Sequence, residues 1–208
     1  MSPQDHWDVI APRYDAATAL LERRFLARGR RWVGARARGR VLEVGIGTGA
    51  NLAHLPPEVR LTGVDTSPAM LRVARSKVGP PDAASTPGPT EVDLLVADAG
   101  DLPFGDGEFD TVLATYVLCN VPDLRVALVE ALRVLRPGGD LLLSDHVVST
   151  SRPVRLAQRA LEAVCGPAAE EHFTRRPLDT LHELGVEVVA SERHTLGVME
   201  AVHARRPG

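Results

Sequence analysis

Cysteine is nearly absent from the 208-residue chain. Only Cys119 and Cys165 occur, far apart and without the close spacing of metal ligands, so neither a disulfide framework nor a zinc site is indicated. Seven histidines include no His-x-x-x-His pair, which removes the usual helical metal motif. Lysine is rarer still: Lys77 stands alone, and arginine supplies the remaining positive charge. The formal net charge of −3 lacks the basic excess of a nucleic-acid-binding domain. No apolar run approaches the ~20 residues that cross a bilayer. The polar start Ser2-Pro3-Gln4-Asp5-His6 has no signal-peptide core, so the chain reads as soluble and cytoplasmic.

What is present is an ordinary globular composition, 44% hydrophobic and 25% charged, at a length suited to one domain with a small appendage. Val41, Leu42 and Val44 form a short apolar run of the kind buried on both faces of a sheet. Gly45, Gly47 and Gly49 follow at once, then helix-like Ala50-Asn51-Leu52-Ala53. A strand, a glycine turn and a helix bring backbone close to a polar ligand, because a residue without Cβ permits both the approach and positive φ. Arg60–Asp65 reads as a second strand ending in a carboxylate, placed to accept from a pair of ribose hydroxyls. Ser67-Pro68 then opens a helix, with Ser67 as N-cap.

Val92–Ala97, Phe109–Thr115 and Asp140–Ser144 read as three further strands, with a helix over Pro122–Leu135 between the last two. Strands alternating with helices predict a mostly parallel sheet covered on both faces. Proline-rich Gly79–Glu91 reads as a mobile surface loop. Pro153–Val164 and Pro177–Leu184 read as helices. The runs Val186–Glu192 and Leu196–Val202 are too close for a crossover and predict an antiparallel hairpin. Residues 150–185 would then lie as an insertion above the sheet's carboxyl edge. Residues 1–39 read as helical, with Arg23, Arg24, Arg28, Arg30, Arg31, Arg36 and Arg38 forming a solvated face or a surface for anionic lipid.

Several motifs in order over residues 40–147 resemble the class I S-adenosylmethionine-dependent methyltransferases. They are Glu43-Val44-Gly45-Ile46-Gly47-Thr48-Gly49, Gly63-Val64-Asp65-Thr66-Ser67-Pro68-Ala69-Met70, Ala97-Asp98-Ala99, Leu102-Pro103-Phe104, Phe109-Asp110-Thr111-Val112 and Leu132–Gly139. The resemblance implies a Rossmann-like α/β fold with a seven-stranded, mostly parallel sheet and an antiparallel C-terminal hairpin. It divides the chain into an N-terminal helical lid, 1–39, and a cofactor-binding domain, 40–208. It also implies that Gly45, Gly47 and Gly49 meet the methionine part of the cofactor, with Glu43 bracing their loop. Asp65 would bind the ribose, with Thr66 beside it, and Met70 would pack on the adenine. Asp98 would accept from the adenine amino group, with Ala99 and Leu102 lining the ring. Thr115 and Leu118 would flank the methionine amine, and Tyr14 would close over the site.

A looser resemblance links Asp145-His146-Val147, Gln158 and Glu171-His172-Phe173-Thr174-Arg175 to methyltransferase-like alkyl thiol S-methyltransferases. The glycine turn and Arg13-Tyr14-Asp15 also resemble bacterial phosphatidylethanolamine N-methyltransferases. These imply a small-molecule acceptor, a thiol first and an amine or hydroxyl otherwise. A phospholipid is the alternative, reached through peripheral membrane contact by the Arg-rich N-terminal helix. A third reading is a binding module that holds the cofactor without turning it over. Asp145, His146 and His172 are the candidate catalytic residues, His146 or His172 as base because imidazole titrates near neutrality. Cys119 is either a buried small hydrophobe or a residue facing the acceptor.

Overall fold

The computed structural model describes residues 3–79, 88–169 and 172–208. In chain order they form α1 (Pro3–Leu21), a π-helical turn (Glu22–Leu26), α2 (Ala27–Gly34), β1 (Arg40–Val44), a 3-10 turn (Leu52–His54), β2 (Arg60–Asp65) and α3 (Pro68–Lys77). There follow β3 (Glu91–Val96), β4 (Phe109–Thr115), α4 (Leu124–Val134), β5 (Leu135–His146), α5 (Arg152–Ala169), α6 (Pro177–Glu183), β6 (Glu187–His194) and β7 (Met199–Arg205). The proline-rich stretch falls largely outside the described residues, as does Glu171.

The seven strands lie in the order β3-β2-β1-β4-β5-β7-β6. Neighbours from β3 to β5 pair in parallel, and β7 runs antiparallel to both β5 and β6. The expected hairpin is therefore present. It begins its return strand later than the sequence suggested, because Thr195, Leu196 and Gly197 all take positive φ and form the turn itself.

Successive residues of the central strands feed opposite cores, as a period of two requires. Leu42, Val112 and Leu141 pack with Leu128 and Leu181 on one face. Val41, Leu113 and Leu142 pack with Val33, Leu61 and Leu71 on the other. These leucines and valines of β1, β4, β5 and their partners, ten apart from Leu71, are at most 2% exposed, so each contributes roughly 1.5–3 kcal/mol of burial. Burial on both faces explains the unbroken apolar runs and holds the strand ends at fixed positions.

The order reverses direction between β1 and β4, and a crevice opens at the carboxyl ends of such a pair. One expectation fails beside it. The segment after Gly49 is a turn and a single 3-10 turn rather than a helix. Asn51 is fully buried and turns its side chain into the sheet, donating to Glu43 and Thr115. Pro56 and Pro57 then block helix propagation. By contrast α3 starts as read, with the Ser67 hydroxyl accepting from Met70 N–H. Among the described residues no helix is long and apolar enough to cross a membrane.

Candidate cofactor and acceptor cleft

A cleft of about 360 Å³ opens at the β1–β4 crevice. Its floor is the glycine loop. Gly45 and Gly47 take φ of 67° and 55°, and a Cβ at Gly47 would meet no atom within 4 Å. A side chain there would project into open space, which is the space a bound group would occupy. Gly47 N–H donates to Asp65 Oδ2 at 2.9 Å, and Ser67 N–H donates to Oδ1 at 2.9 Å. Each oxygen keeps an acceptor site. Burial raises the Asp65 carboxyl above the usual carboxylate range, the two backbone donors pull it back, and nearby Asp8 adds a further upward push.

One end of the cleft is formed by Asp65, Thr66, Met70, Asp98 and Ala99, and the other by Thr115, Tyr116, Val117 and Asn120–Pro122. Trp7 and Tyr14 of α1 pack edge to face at 6.2 Å and form part of the wall. The lid segment is pinned to the loops below it. Asp8 accepts from Ser67 Oγ and Ala69 N–H, and Asp15 accepts from Thr48 Oγ1 and pairs with Lys77 at 2.6 Å.

Glu43 lies beneath the loop and is 1% exposed. Its Oε1 accepts from Asn51, while Oε2 has no hydrogen-bond partner among the described residues. Burial pushes its carboxyl up to about 7, against the pull of Asn51 and Arg30. Gly49 is turned away from the cleft toward Leu52 and Ala74, and Leu102 and Leu118 are core residues, each 3% exposed, rather than lining. Glu43 and these three positions were expected at the cofactor and are not on the cleft wall. Tyr14, Gly45, Gly47, Asp65, Thr66, Met70, Asp98, Ala99 and Thr115 are on it.

Asp145, His146 and His172 come together on the far side of the loop after β4, off the cleft lining. Asp145 is 3% exposed; its Oδ2 accepts from Leu118 and Cys119 N–H, and its Oδ1 from His146 N–H. Burial raises its carboxyl, with His146 and these donors opposing. His146 stacks at 5.3 Å on Phe173, and His172 donates its backbone N–H to the Cys119 carbonyl and pairs with Glu162. Cys119, Asp145 and His146 offer ligand atoms within 4.8 Å of one another, a grouping their spacing in sequence does not suggest. Its evident work is to hold residues 117–121 in place, since the backbone donors of Leu118 and Cys119 converge on one carboxylate oxygen.

Sequence reasoning missed Arg30. Placed with the solvated arginines, it is instead 7% exposed and lines the cleft. Nε donates to both Glu22 oxygens at 3.0 and 3.1 Å, and Nη1 donates to Thr115 Oγ1 at 2.7 Å and Asn51 Oδ1 at 3.2 Å. Its guanidinium stands 4.9 Å over the Tyr116 ring. The signal was spacing: Leu26, Arg30, Val33 and Ala37 fall at i, i+4, i+7 and i+11, and all are buried.

A methyltransferase domain model matches residues 42–143. A ubiquinone/menaquinone biosynthesis C-methyltransferase, UbiE, of Geotalea daltonii is 34% identical over 153 residues, covering 68% of this chain and 62% of that protein. A phosphatidylethanolamine N-methyltransferase of Cereibacter sphaeroides is 37% identical over 123 residues, covering 59% and 58%. The chain thus spans about three-fifths of the length of these curated relatives. A solved SAM-dependent methyltransferase of Thermotoga maritima, described as a possible histamine N-methyltransferase, superposes with a TM-score of 0.71 over 99% of this chain and 100% of its own, at 22% identity. The cyclase SpnF shares the fold at a TM-score of 0.68 and 20% identity over 86% of this chain and 80% of its own, so the fold alone does not dictate the reaction. The ordered motifs, the seven-stranded sheet, the cleft at its switch point and these relatives together make the chain a member of the class I S-adenosylmethionine-dependent methyltransferases.

Proposed function

We propose that the chain transfers a methyl group from S-adenosylmethionine to a small-molecule acceptor, with a thiol as the first candidate. The residues present fit the cofactor on two structural grounds. The glycine loop leaves open space where a Cβ at Gly47 would stand, and Glu43 Oε2 is a buried acceptor awaiting a donor. Asp65 would hold the ribose hydroxyls, Met70 and Ala99 the adenine faces, and Asp98 its amino group. When bound, the cofactor supplies an electrophilic methyl on a sulfonium sulfur. The protein's own work is then alignment and exclusion of water.

The observation that carries the acceptor reading is the chemistry of the wall beyond Thr115. Beside Arg30, whose charge is paired with Glu22, it is built of Tyr116, Val117, Asn120, Val121 and Pro122: aromatic, apolar and amide groups. Tyr116 has its hydroxyl pushed up to about 12 by burial and donates to the Leu26 carbonyl, so its proton stays where it is. Such a wall suits a nucleophile that loses its proton readily. A thiol, at a pKa of about 8.5, does so far more easily than an alcohol. An amine needs only to be neutral, and the 37% identical phosphatidylethanolamine N-methyltransferase favours that as the second reading. Asp145 would act as a positioning residue for the acceptor loop, with His146 and His172 as the bases if one is used.

The test is release of S-adenosylhomocysteine in the presence of a small alkyl thiol, a small primary amine, or vesicles containing phosphatidylethanolamine. Thiol-dependent release supports the first reading. Release only with the amine or the vesicles replaces it with N-methylation, and release with none rejects both. Replacing His146 by Gln separates its roles, since a base would shift the pH profile of kcat and a support would lower activity uniformly.

A further inference from the structure

Over the carboxyl edge of the sheet the surface is both apolar and basic, in a chain whose formal net charge is −3. Only the first part of α1 is packed: Trp7, Ile10, Ala11 and Tyr14 meet Ala69 and Met70 of α3. Farther along, Leu20, Leu21 and Phe25 are exposed. The π-helical turn buries Leu26, whose carbonyl accepts from the Tyr116 hydroxyl just beyond β4, so this crest stands on the edge that carries the cleft. Arg28 continues it, pairing with Glu192 of β6 and lying close enough to His194 to lower its pKa. Leu196 caps the following turn at 69% exposure, and its carbonyl accepts from the Ser149 and Thr150 hydroxyls, just ahead of α5. On α5 itself Leu156 is 70% exposed and Leu161 is exposed as well.

The acids along this rim are already used: Glu22 by Arg30, Glu192 by Arg28 and Glu162 by His172. Exposed Arg23, Arg24, Arg152 and Arg159 make no ion pair among the described residues. Uncompensated guanidinium groups beside open aliphatic and aromatic side chains match an anionic bilayer surface. The arginines meet lipid phosphates while the apolar groups enter the headgroup boundary. A second copy of the chain is the poorer occupant, because two such rims face to face would oppose like charges. We infer that the end of α1, the β6–β7 turn and the start of α5 together dock the protein on an anionic lipid surface. The sequence pointed to arginines of the N-terminal segment alone; the apolar crest and its two companion elements come together only in the fold. The inference goes beyond the methyl-transfer reading and holds whichever acceptor is used.

The experiment is co-sedimentation of the full chain with vesicles of phosphatidylcholine, alone or mixed with phosphatidylglycerol, without cofactor. Neither lipid is the amine acceptor of the turnover assay, so the two results are independent. Wild-type protein should partition onto the anionic vesicles and not the neutral ones, and added salt should weaken the binding. Arg23→Gln combined with Arg24→Gln should lower the partition coefficient roughly 10- to 30-fold, at about fivefold for each arginine near a charged surface. Leu20→Ser combined with Leu21→Ser should lower it about tenfold through lost insertion, and Leu196→Ser, on a separate element, by a smaller factor. These side chains are exposed and none lines the cleft, so the thermal midpoint should not move. Should the helix variants not fold, Leu196→Ser decides the matter. Failure of the wild type to bind anionic vesicles, or equal binding to both kinds, would overturn the inference. So would leucine variants that bind as well as the wild type, since only unspecific attraction would then remain. A dimer in light scattering that the leucine variants dissolve, with no vesicle binding, would overturn it too and assign the rim to a second copy.

Discussion

Replacing Glu43 by Gln is expected to flatten the pH dependence of folding. The Glu43 carboxyl is 1% exposed and its pKa rises from 4.5 to about 7, chiefly through burial. Below pH 4.5 the group is protonated in both folded and unfolded chains and costs nothing. As pH rises, the unfolded chain ionises freely while the folded chain holds the proton until about 7, so stability is lost across that interval and levels off above it. At 1.36 kcal/mol per unit the full effect is about 3 kcal/mol, most of it between pH 5 and 8. With a urea slope near 2–3 kcal/mol/M for a chain of this size, the wild-type midpoint should fall by roughly 1 M over that range from this group. Gln keeps the acceptor for Asn51 but cannot titrate. It places an unpartnered amide where Oε2 lies, which lowers absolute stability, so the informative quantity is the slope. Urea titrations of both proteins from pH 5 to 8, without cofactor, give the difference directly. Identical slopes would refute the assignment of a proton-holding Glu43.

Two further outcomes follow from the same geometry. Gly47→Ala should cost about 1–2 kcal/mol of stability, because φ of 55° is left-handed. Its Cβ enters the cleft, so S-adenosylhomocysteine affinity should drop by more than the stability loss implies; unchanged calorimetric affinity would show that the loop does not face the ligand. Asp145→Ala strands the backbone donors of Leu118, Cys119 and His146. At about 1–3 kcal/mol for each unsatisfied group, chemical denaturation should show a loss of at least ~3 kcal/mol, and Asp145→Asn, with one acceptor oxygen kept, should lose less.

What could be read from the sequence was local or periodic. The strand runs were legible because burial on both faces demands unbroken apolar residues, and the start of α3 because Ser67-Pro68 is an N-cap followed by proline. Asp65 was legible because the end of a strand next to a glycine loop leaves little choice of neighbours. The fate of Asn51 was not, since only the assembled sheet offers it Glu43 and Thr115. The N-terminal arginines are alike in type, and of them only Arg30 shares the buried spacing of Leu26, Val33 and Ala37, a signal easily lost among so many arginines. Arg28 instead pairs with Glu192, Arg36 stacks on Trp32, and Arg38 pairs with Asp140. The apolar residues of that segment divide likewise: Leu26 and Val33 are buried, while Leu20, Leu21 and Phe25 are 62%, 46% and 38% exposed. Asp145 and His146 were legible as a pair at the end of β5, but their direction was not, because two of the backbone donors that fix Asp145, those of Leu118 and Cys119, belong to the loop after β4.

The central claim is that the β1–β4 cleft holds the cofactor through Asp65. Calorimetric titration of S-adenosylhomocysteine into the wild type and into Asp65→Ala tests it most directly. The account predicts one site per chain in the wild type and, in Asp65→Ala, an affinity lower by roughly 10- to 100-fold for the loss of two acceptors of hydroxyl donors, with α3 still capped by Ser67. Binding of equal strength in the two proteins, or none in the wild type, would contradict it.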